Sequence, residues 1–451
     1  MHNDLLALIQ KAAKAISEHE GKIKLISHYD ADGITACAIM LKALKHAKKN
    51  FSIEILRELN KEYIDVLRHS LEDLIIFTDI GAGLSELIYK KTADSGKKII
   101  IIDHHIPDTN INTNGFIHIN SFEHKQEKFT SAALAWMVAK SISESNIPLV
   151  ALAVVGTIGD CHAVAEDLLI SDYVKREYGL NFFGRASRPI HHVLKYSFEP
   201  YIEGITGNEL AALQLLGDIN IKPKTKDGKW RVLRDLNIDE LRALADAIIK
   251  YTGCSNIFSQ NYTLNGFDGE LADAKEFATL INACSRLGNE QLALRICCEP
   301  ENKGLLEEAR RHMVIYRRML SNYLTWIRRH PECITETEHA MYINGSDKID
   351  ANVIGTITSM YVRRYRPDKP VISFAKNGEG VKISCRVAEN SNINIFDVVS
   401  RAAAHVGGSG GGHLKAAGGN IPAGTIERFI EACEQEFRKI FWNHDTNIYK
   451  H

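Results

Sequence analysis

Apolar and polar positions alternate in short blocks through residues 21–120, where compact apolar runs are separated by amphipathic stretches. Apolar runs of this length that end in turn-forming residues are typical of buried β-strands. The predicted strands lie near 23–28, 52–57, 73–79, 98–103 and 116–120, with helices near 34–48, 61–70 and 84–95. Because strands that alternate with helices form βαβ units, the pattern predicts an α/β fold built on a parallel sheet.

Beyond this region the periodicity predicts a mainly helical stretch and then a second β-containing region. A helix capped by Thr130 is expected to reach residue 142, and a buried helix or strand should lead to Asp160. Residues 185–300 are expected to be mostly helical, with a polar loop at 222–229. A long helix should follow, from Glu301 to His330. Pro331 should end that helix, because proline disrupts helical hydrogen bonding. The β pattern returns from residue 340 after a linker, which predicts a smaller C-terminal α/β domain.

Composition narrows the class of protein. The 451 residues are 45% hydrophobic and 25% charged, and the formal net charge is −1. A near-neutral chain has no global basic field, so any contact with nucleic acid must use local patches. The nine cysteines form no disulfide-like framework, the N-terminus lacks a signal-peptide pattern, and the most apolar stretch is too short to cross a bilayer. We therefore expect a cytoplasmic protein without membrane contact.

Eight acidic and histidine side chains carry the candidate chemistry. They fall in the blocks SHYDADG, FTDIG, IIDHHIP and GTIGD and are His28, Asp30, Asp32, Asp79, Asp103, His104, His105 and Asp160. The first three blocks follow predicted strands, and the carboxyl ends of parallel strands form the ligand crevice of such sheets. Clustered carboxylates need cations to neutralise them, so the set predicts a two-metal hydrolytic centre.

The mixture of carboxylates and imidazoles favours Mn²⁺ over Mg²⁺, and Zn²⁺ is a further alternative. Any one block alone has a simpler explanation, since an aspartate after a strand is usually a turn or helix cap. Four blocks in consecutive strand-end positions are much harder to explain in that way.

These motifs together resemble the DHH phosphoesterase superfamily. The order HYDADG, a following aspartate, DHH and a later aspartate matches its metal motifs, and GGSGGGHLKAAGG resembles the signature of its DHHA1 domain. DAKEFATLINACSRLGNE (273–290) resembles the RecJ-like nuclease branch, including archaeal RecJ-like nucleases. The implied domains are a DHH-like catalytic domain at 1–190, a helical extension at 191–300, a linker helix at 301–335 and a DHHA1-like substrate-binding domain at 336–451.

The resemblance implies a role for each residue of the metal motifs. One ion would be held by His28, Asp30 and Asp79, and the other by Asp32, Asp79, His104 and Asp160, with Asp79 bridging. His105 would contact the scissile phosphate or donate a proton, and Asp103 would orient His104 or its neighbours. The implied reaction is two-metal phosphodiester hydrolysis without a covalent intermediate.

Candidate substrate contacts lie in two regions. The Gly-rich segment that contains Gly411 and Gly412 is expected to be a loop whose N–H groups bind an anion, with His413 beside it. Arg386 matches a phosphate-pairing arginine of the family, and Asn282 and Arg286 are further candidates. The alternative functions are a flexible linker for the glycines and capping or ion pairing for Asn282 and Arg286.

Arginines on the predicted long helix form a further candidate surface for nucleic acid. They are Arg310, Arg311, Arg317, Arg318, Arg328 and Arg329, with Tyr316 and Trp326 near their edges. Spacings of seven and eleven return close to one angle of a helix, so a basic stripe is expected that single strands would follow. A solvated helix face is the plainer alternative. RRYRP (363–367) is a second candidate basic contact.

We therefore expect a Mn²⁺-dependent exonuclease for single-stranded DNA or RNA in replication or repair, with its site between the DHH-like and DHHA1-like domains. One alternative is a phosphodiesterase or phosphatase for short oligonucleotides or signalling nucleotides. Another is a replication or repair scaffold that retains a nuclease site. Polarity, the choice between DNA and RNA, and oligomeric state stay open.

Overall fold

A five-stranded parallel sheet organises the N-terminal part of the chain. The structure is a computed structural model that describes residues 3–122, 129–197, 200–253, 257–365, 367–388, 391 and 393–448. The strands are β1 (Ile23–His28), β2 (Phe51–Leu56), β3 (Leu74–Thr78), β4 (Lys98–Asp103) and β5 (Phe116–Asn120). The helices are α1 (Asn3–Ser17), α2 (Ala31–His46), α3 (Lys61–Leu67), α4 (Ser85–Thr92), α5 (Ser131–Ile142) and α6 (Val150–Gly159). The strand order β2-β1-β3-β4-β5 confirms the predicted parallel sheet.

Burial on both faces explains why the central strands are continuous apolar runs. All five residues of β3 are buried, and so are five of the six in β4, as expected for a parallel sheet covered by helices. Helix α2 packs against α5 and α6. Glycine is needed at position 156, because a Cβ there would lie 2.3 Å from Thr35 Oγ1 and 2.7 Å from Asp32 Oδ1. This close packing brings the end of α6 to the start of α2.

The middle of the chain is less helical than its sequence suggests. Its elements are β6 (Val174–Leu180), α7 (Ile190–Lys195), α8 (Glu209–Asp218), α9 (Ile238–Thr252), β7 (Phe258–Leu264), α10 (Ala274–Arg286), α11 (Glu290–Cys298) and α12 (Lys303–Arg329). Strand β7 pairs with β6 in antiparallel register. The expectation of a mostly helical segment therefore missed β7. The long helix before Pro331 is confirmed as α12.

A six-stranded mixed sheet forms the C-terminal part. Its elements are β8 (Ile334–Glu336), β9 (Met341–Asn344), α13 (Ile354–Tyr365), β10 (Val371–Asn377), β11 (Gly380–Arg386), α14 (Ile395–His405), β12 (Ser409–His413), β13 (Ala416–Pro422) and α15 (Ile426–Ile448). The strand order is β12-β13-β11-β10-β9-β8. Strand β8 lies in the expected linker, so the linker prediction was wrong there, because Ile334–Glu336 pairs with β9. The predicted smaller α/β domain is confirmed.

The chain divides into two compact units. The first comprises Met1–Lys195, Glu209–Lys250 and Ser255–Met313, and the second comprises Tyr196–Asn208, Tyr251–Cys254 and Val314–His451. Helix α12 thus begins in the first unit and ends in the second. Among the helices within the described ranges, none is both long enough and apolar enough to cross a membrane. The four-domain division predicted from the sequence stays a prediction.

Candidate metal centre

The predicted ligand motifs meet at the carboxyl edge of the parallel sheet. His28 is the last residue of β1, Asp79 follows β3, and Asp103 is the last residue of β4. These three strands are neighbours in the order β1-β3-β4. Because parallel strands end at the same edge, their terminal side chains converge there.

Asp79 occupies the middle of the cluster. Its Oδ2 lies 3.3 Å from His28 Nδ1, and its Oδ1 lies 3.5 Å from His104 Nε2 and 3.9 Å from His105 Nδ1. Ser131 Oγ donates a hydrogen bond of 2.9 Å to the same Oδ1. Asp79 is 2% exposed and has a φ of 60°, a left-handed conformation that aspartate tolerates better than most residues. A kinked backbone after β3 therefore turns this carboxylate between three imidazoles.

The start of α2 supplies two further carboxylates. Asp30 is the N-cap of α2 and accepts a 3.1 Å hydrogen bond from Gly33 N. It also lies 3.3 Å from His28 Nδ1, so a helix cap and a candidate ligand coincide in one side chain. Asp32 is 1% exposed and accepts hydrogen bonds from the backbone N–H groups of Ser131 and Ala132, at 2.8 Å and 3.1 Å. The first turn of α5 therefore fixes the Asp32 carboxylate.

Asp160 and His162 complete the cluster from the end of α6. Asp160 Oδ2 lies 3.5 Å from His104 Nε2 and 3.4 Å from His162 Nε2. This oxygen is buried and has no hydrogen-bond partner among the residues that the structure describes. The sequence interpretation did not include His162, although an imidazole two residues after a proposed ligand was a usable signal. Cys161, between them, has a φ of 58°, which bends the chain at this point.

Asp103 fixes the backbone and ring of the double histidine. Its Oδ1 accepts a hydrogen bond of 2.8 Å from His104 N and lies 2.8 Å from His105 Nδ1. Its Oδ2 accepts a 2.9 Å hydrogen bond from Ala82 N, and Asn120 Nδ2 donates to His105 O at 2.8 Å. The Asp103 carboxylate thus orients the His105 imidazole and the His104 backbone, whereas the His104 ring faces Asp79 and Asp160.

The charges in this cluster shift the pKa values of its members. Burial alone would lower the pKa of His104, but the carboxylates of Asp79 and Asp32 raise it to about 10. Burial and the neighbouring Asp30 and Asp79 charges raise the pKa of Asp160 to about 7. Burial opposes ionisation of Asp79, yet the facing histidines hold its pKa well below its usual range. The carboxylates thus favour the charged form of the His104 imidazole, and the imidazoles favour the charged form of Asp79.

The donor set fits divalent cations. Three groups in this cluster bring oxygen and nitrogen atoms within 4.8 Å of one another: His28, Asp30 and Asp79; Asp79, His104 and His105; and His104, Asp160 and His162. The separations of 3.3–3.9 Å around Asp79 mostly exceed hydrogen-bond length. Ligands about 2.0–2.2 Å from one ion are spaced about 3–3.6 Å apart. The buried Asp160 oxygen, which has no hydrogen bond from any described residue, is a further observation that fits an ion.

Asn282, one of the proposed substrate contacts in the first unit, forms a hydrogen bond to the start of α2. Its Oδ1 accepts a hydrogen bond of 3.1 Å from Ala31 N, one of the first N–H groups of α2. It therefore holds the helix end that carries Asp30 and Asp32, which agrees with the capping alternative. Arg286 is half-buried in the last turn of α10. Substrate contact by either residue stays a prediction.

The glycine-rich segment of the second unit differs from the expected loop. Gly411 and Gly412 lie in the edge strand β12, which pairs with β13. Glycine is required because a Cβ on Gly410 would lie 2.8 Å from Ser400 Cα and one on Gly412 would lie 2.5 Å from Ala416 O. The expectation of a loop was thus wrong, since the run lets a strand pack closely on α14 and β13. The backbone of His413 ends β12, and its side chain lies outside the described residues.

Arg386 ends β11 in the second unit and is half-buried. Its Nε donates a 2.9 Å hydrogen bond to Ser359 Oγ, and its Nη1 donates a 2.7 Å hydrogen bond to Cys385 O. These bonds fix the guanidinium group. Phosphate pairing by Arg386 stays a prediction.

The basic stripe on α12 is narrower than predicted. Arg310 is bound to Glu270, with its Nε 2.5 Å from Oε1. Tyr316 is 4% exposed and contributes to the apolar face of the helix, so its expected place at the edge of the stripe was wrong. Trp326 is half-buried and stacks on His330 with centroids 5.2 Å apart. The exposed arginines are Arg310, Arg311, Arg318, Arg328 and Arg329.

The chain is similar to several known proteins over nearly all its length. An uncharacterized protein of Methanocaldococcus jannaschii is 28% identical over 454 residues, which cover 95% of this chain and 96% of the relative. RecJ from Thermus thermophilus in complex with Mn²⁺ matches with a TM-score of 0.60 and 19% identity over 96% of this chain. The match covers 55% of the RecJ chain, so this chain spans about half the length of that protein. Its Mg²⁺ complex matches with a TM-score of 0.54 and 18% identity, covering 96% of this chain and 52% of RecJ.

A third similar structure is CDC45 from Entamoeba histolytica, with a TM-score of 0.60 and 12% identity over 96% of this chain and 97% of CDC45. At these identities, the structural matches establish the fold. Family models match residues 22–157 (DHH family, N-terminal domain), 182–262 (DHH-CID domain) and 338–439 (DHHA1 domain). Because these three matches follow one another along the chain and together span most of it, the protein belongs to the DHH phosphoesterase superfamily, with a RecJ-like fold.

Proposed function

We propose that this protein is a Mn²⁺-dependent exonuclease that hydrolyses single-stranded nucleic acid. The observation that carries the proposal is the buried Asp79 carboxylate, which faces His28, His104 and His105 at 3.3–3.9 Å. DHH-family membership supports phosphoester hydrolysis, and the RecJ-like fold supports a nuclease. Activity in DNA replication or repair is part of the same proposal.

Two groups of residues would hold the cations. His28, Asp30 and Asp79 would bind one ion, and Asp32, Asp79, His104 and Asp160 the other. The His162 ring is a further candidate for the second group because its Nε2 lies 3.4 Å from Asp160 Oδ2. When bound, divalent cations neutralise the phosphate charge and activate a water molecule for in-line attack.

His105 is suited to contact the phosphate or to donate a proton. Its side chain is 47% exposed, whereas the other histidine of the pair is buried. Partial burial of the side chain opposes the charged form, but the Asp103 carboxylate raises the pKa of His105 to about 9. A cationic imidazole held by Asp103 would hydrogen-bond a phosphate oxygen or protonate the departing oxygen.

Manganese is the proposed ion because the donor set mixes carboxylates with imidazoles. RecJ from Thermus thermophilus has been crystallised with both Mn²⁺ and Mg²⁺, so Mg²⁺ is an alternative, as is Zn²⁺. Activity measured with each ion after chelator treatment separates these three.

The proposed substrate is a single strand that is cleaved at the metal centre and also contacts the DHHA1 domain. Arg386, Gly411, Gly412 and His413 would contact its phosphates, with Asn282 and Arg286 as further contacts. The exposed arginines of α12 would bind the strand further along. Most of these groups bind phosphate without reading bases, so we expect little dependence on sequence.

The direct test is digestion of end-labelled 30-mers of identical sequence, as single-stranded DNA, single-stranded RNA and duplex DNA. We expect the single strands to be shortened stepwise with Mn²⁺ and the duplex to be resistant. Dinucleotides and 3′-phosphoadenosine 5′-phosphate serve as competing substrates. If only these small compounds are hydrolysed, the protein is instead a phosphodiesterase or phosphatase for short oligonucleotides or signalling nucleotides.

A scaffold function in replication or repair is the second candidate, because the CDC45 fold matches over nearly the whole chain. Retention of the carboxylate and imidazole cluster around Asp79 argues against a purely structural protein. Affinity capture with wild type and an Asp79→Asn variant tests this alternative. Equal capture of replication or repair proteins by both, together with no nuclease activity in the wild type, would favour the scaffold.

A further inference from the structure

Three metal-binding side chains meet in the first unit, outside the Asp79 cluster. His191 and His192 are in α7, and Glu209 is the first residue of α8. The Nε2 atoms of both histidines lie 3.6 Å from Glu209 Oε1. We call these three residues the α7–α8 cluster. Nothing in the proposed hydrolytic reaction uses them.

The spacing within the α7–α8 cluster is that of ligands around an ion. A separation of 3.6 Å is too long for an N–H···O hydrogen bond, which is normally about 2.7–3.2 Å. Ligands about 2.0–2.2 Å from a tetrahedral ion are about 3.3–3.6 Å apart. The Asp79 cluster shows similar separations of 3.3–3.9 Å, so both sites share this property.

His191 is the buried member of the cluster. It is 2% exposed, and its Nδ1 has no hydrogen-bond partner within the described part of the chain. The ring of Trp230 packs on it with centroids 4.4 Å apart. The ring offers its Nε2 atom to an ion, because this nitrogen faces Glu209 Oε1 at 3.6 Å.

Lys195 binds one oxygen of the Glu209 carboxylate, and the other oxygen faces the histidines. Lys195 Nζ donates to Glu209 Oε2 at 2.7 Å, whereas the histidines face Oε1. The Lys195 bond therefore orients the carboxylate for monodentate binding, as partners of metal ligands commonly do. Lys224 Nζ lies 4.3 Å from the ring centroid of Trp230. The side chains of His192 and Glu209 are 38% and 42% exposed, so an ion would reach the site from solvent.

We propose that His191, His192 and Glu209 bind a transition-metal ion of the Zn²⁺ class at a site separate from the hydrolytic centre. Two imidazoles and one carboxylate are a common ligand set for Zn²⁺, with water as the fourth ligand. At this position the ion would stabilise the fold of the first unit. Lys195 is the last residue of the first unit before the chain enters the second, and Glu209 is the first residue after it returns. The bound ion joins these two points of the chain.

The test uses full-length protein freed of metals with a chelator and then titrated with Co²⁺, a spectroscopic substitute for Zn²⁺. The variants are His192→Gln and Glu209→Gln, which alter different elements. His69→Gln, a change at an exposed histidine, is the matched control. We expect wild type and control to bind one ion more than either variant and to show tetrahedral Co²⁺ absorption. The affinity lost on removing one ligand should be at least about 10–100-fold, the range found when even an outer-shell partner of a ligand is removed.

Equilibrium dialysis with Zn²⁺, followed by metal analysis, gives the stoichiometry, and far-UV circular dichroism in chelator checks that each variant is folded. If either variant keeps the extra ion at wild-type affinity, the three-ligand site is wrong. Loss of the ion in His69→Gln as well would also overturn the assignment to α7 and α8. Because the hydrolytic centre is unchanged in every variant, loss of nuclease activity is not needed for the result.

Discussion

Replacing Asp79 tests the central feature of the hydrolytic centre. We predict that Asp79→Asn lowers the rate of single-strand hydrolysis by at least about 10³-fold, because it removes the carboxylate that we propose as the shared metal ligand. Asparagine preserves the shape of the side chain. Its amide oxygen can still accept the hydrogen bond that Ser131 Oγ donates to Asp79 at 2.9 Å. The loss should therefore arise from the missing charge and metal ligand.

The backbone at Asp79 determines which substitution is informative. With a φ of 60°, alanine would adopt a left-handed conformation that costs about 1–2 kcal/mol, whereas asparagine tolerates it. For a unit of about 300 residues, a loss of about 1 kcal/mol lowers the melting temperature by about 1.5–2 °C. We therefore expect Asp79→Ala to be as inactive as Asp79→Asn, but to melt a few degrees lower in the metal-free state.

The assay is initial-rate digestion of an end-labelled single strand with saturating Mn²⁺, accompanied by titration of Mn²⁺ binding and thermal unfolding in chelator. Asp94→Asn, a change at an exposed aspartate, is the matched control and should retain wild-type activity. Activity of Asp79→Asn within about tenfold of wild type would refute the assignment of Asp79 as the shared ligand. Equal melting temperatures of the Asn and Ala variants would refute the argument from backbone strain.

Three further predictions concern protons, the added histidine and the basic helix. In metal-free protein the pKa of His104 is raised to about 10, whereas the pKa of histidine in an unfolded chain is about 6.5. Protonated His104 therefore contributes its full stabilisation of the fold below about pH 6.5, and this stabilisation is lost as the pH rises toward 10. The melting temperature should fall over that range, and calorimetry in buffers of different ionisation enthalpy should show proton release when Mn²⁺ binds at pH 7. His162→Gln should weaken binding of one ion by about 10–100-fold, and unchanged Mn²⁺ affinity would remove it from the set. Changing Arg311, Arg318 and Arg329 to Gln should lower the log–log salt slope for single-strand binding by about 0.7 per lost contact, whereas an unchanged slope would make this a solvated face.

Local sequence patterns were sufficient for the part of the site that lies at strand ends. His28, Asp79 and His104 were predictable because each follows an apolar run, and parallel strands bring such positions together. His162 was missed because a single left-handed residue, Cys161 with a φ of 58°, redirects the chain toward Asp160. A turn of this kind leaves no periodic signal, so the available sequence signal was the position of His162 two residues after Asp160.

Features that depend on distant packing were not predictable in the same way. Strand β7 was missed because its partner β6 lies far away in the sequence, and the alternation within either strand is weak. The glycines of β12 were expected to form a loop, since their contacts with α14 and β13 exist only in the folded sheet. Tyr316 was placed on the wrong face of α12 because tyrosine is common on both wet and buried surfaces.

Each of the two units is built from separate segments of the chain, and this has a consequence for synthesis on the ribosome. Tyr196–Asn208 belongs to the second unit, most of which is Val314–His451, and within that unit Tyr201 stacks under Arg364 at 4.1 Å. Translation at about 5–20 residues per second separates residue 208 from residue 451 by roughly 10–50 s. During that interval, Tyr196–Asn208 lacks the later residues of the second unit against which it packs. The second unit cannot be completed until the C-terminal sheet has emerged, which makes this stage the natural point for assistance by chaperones.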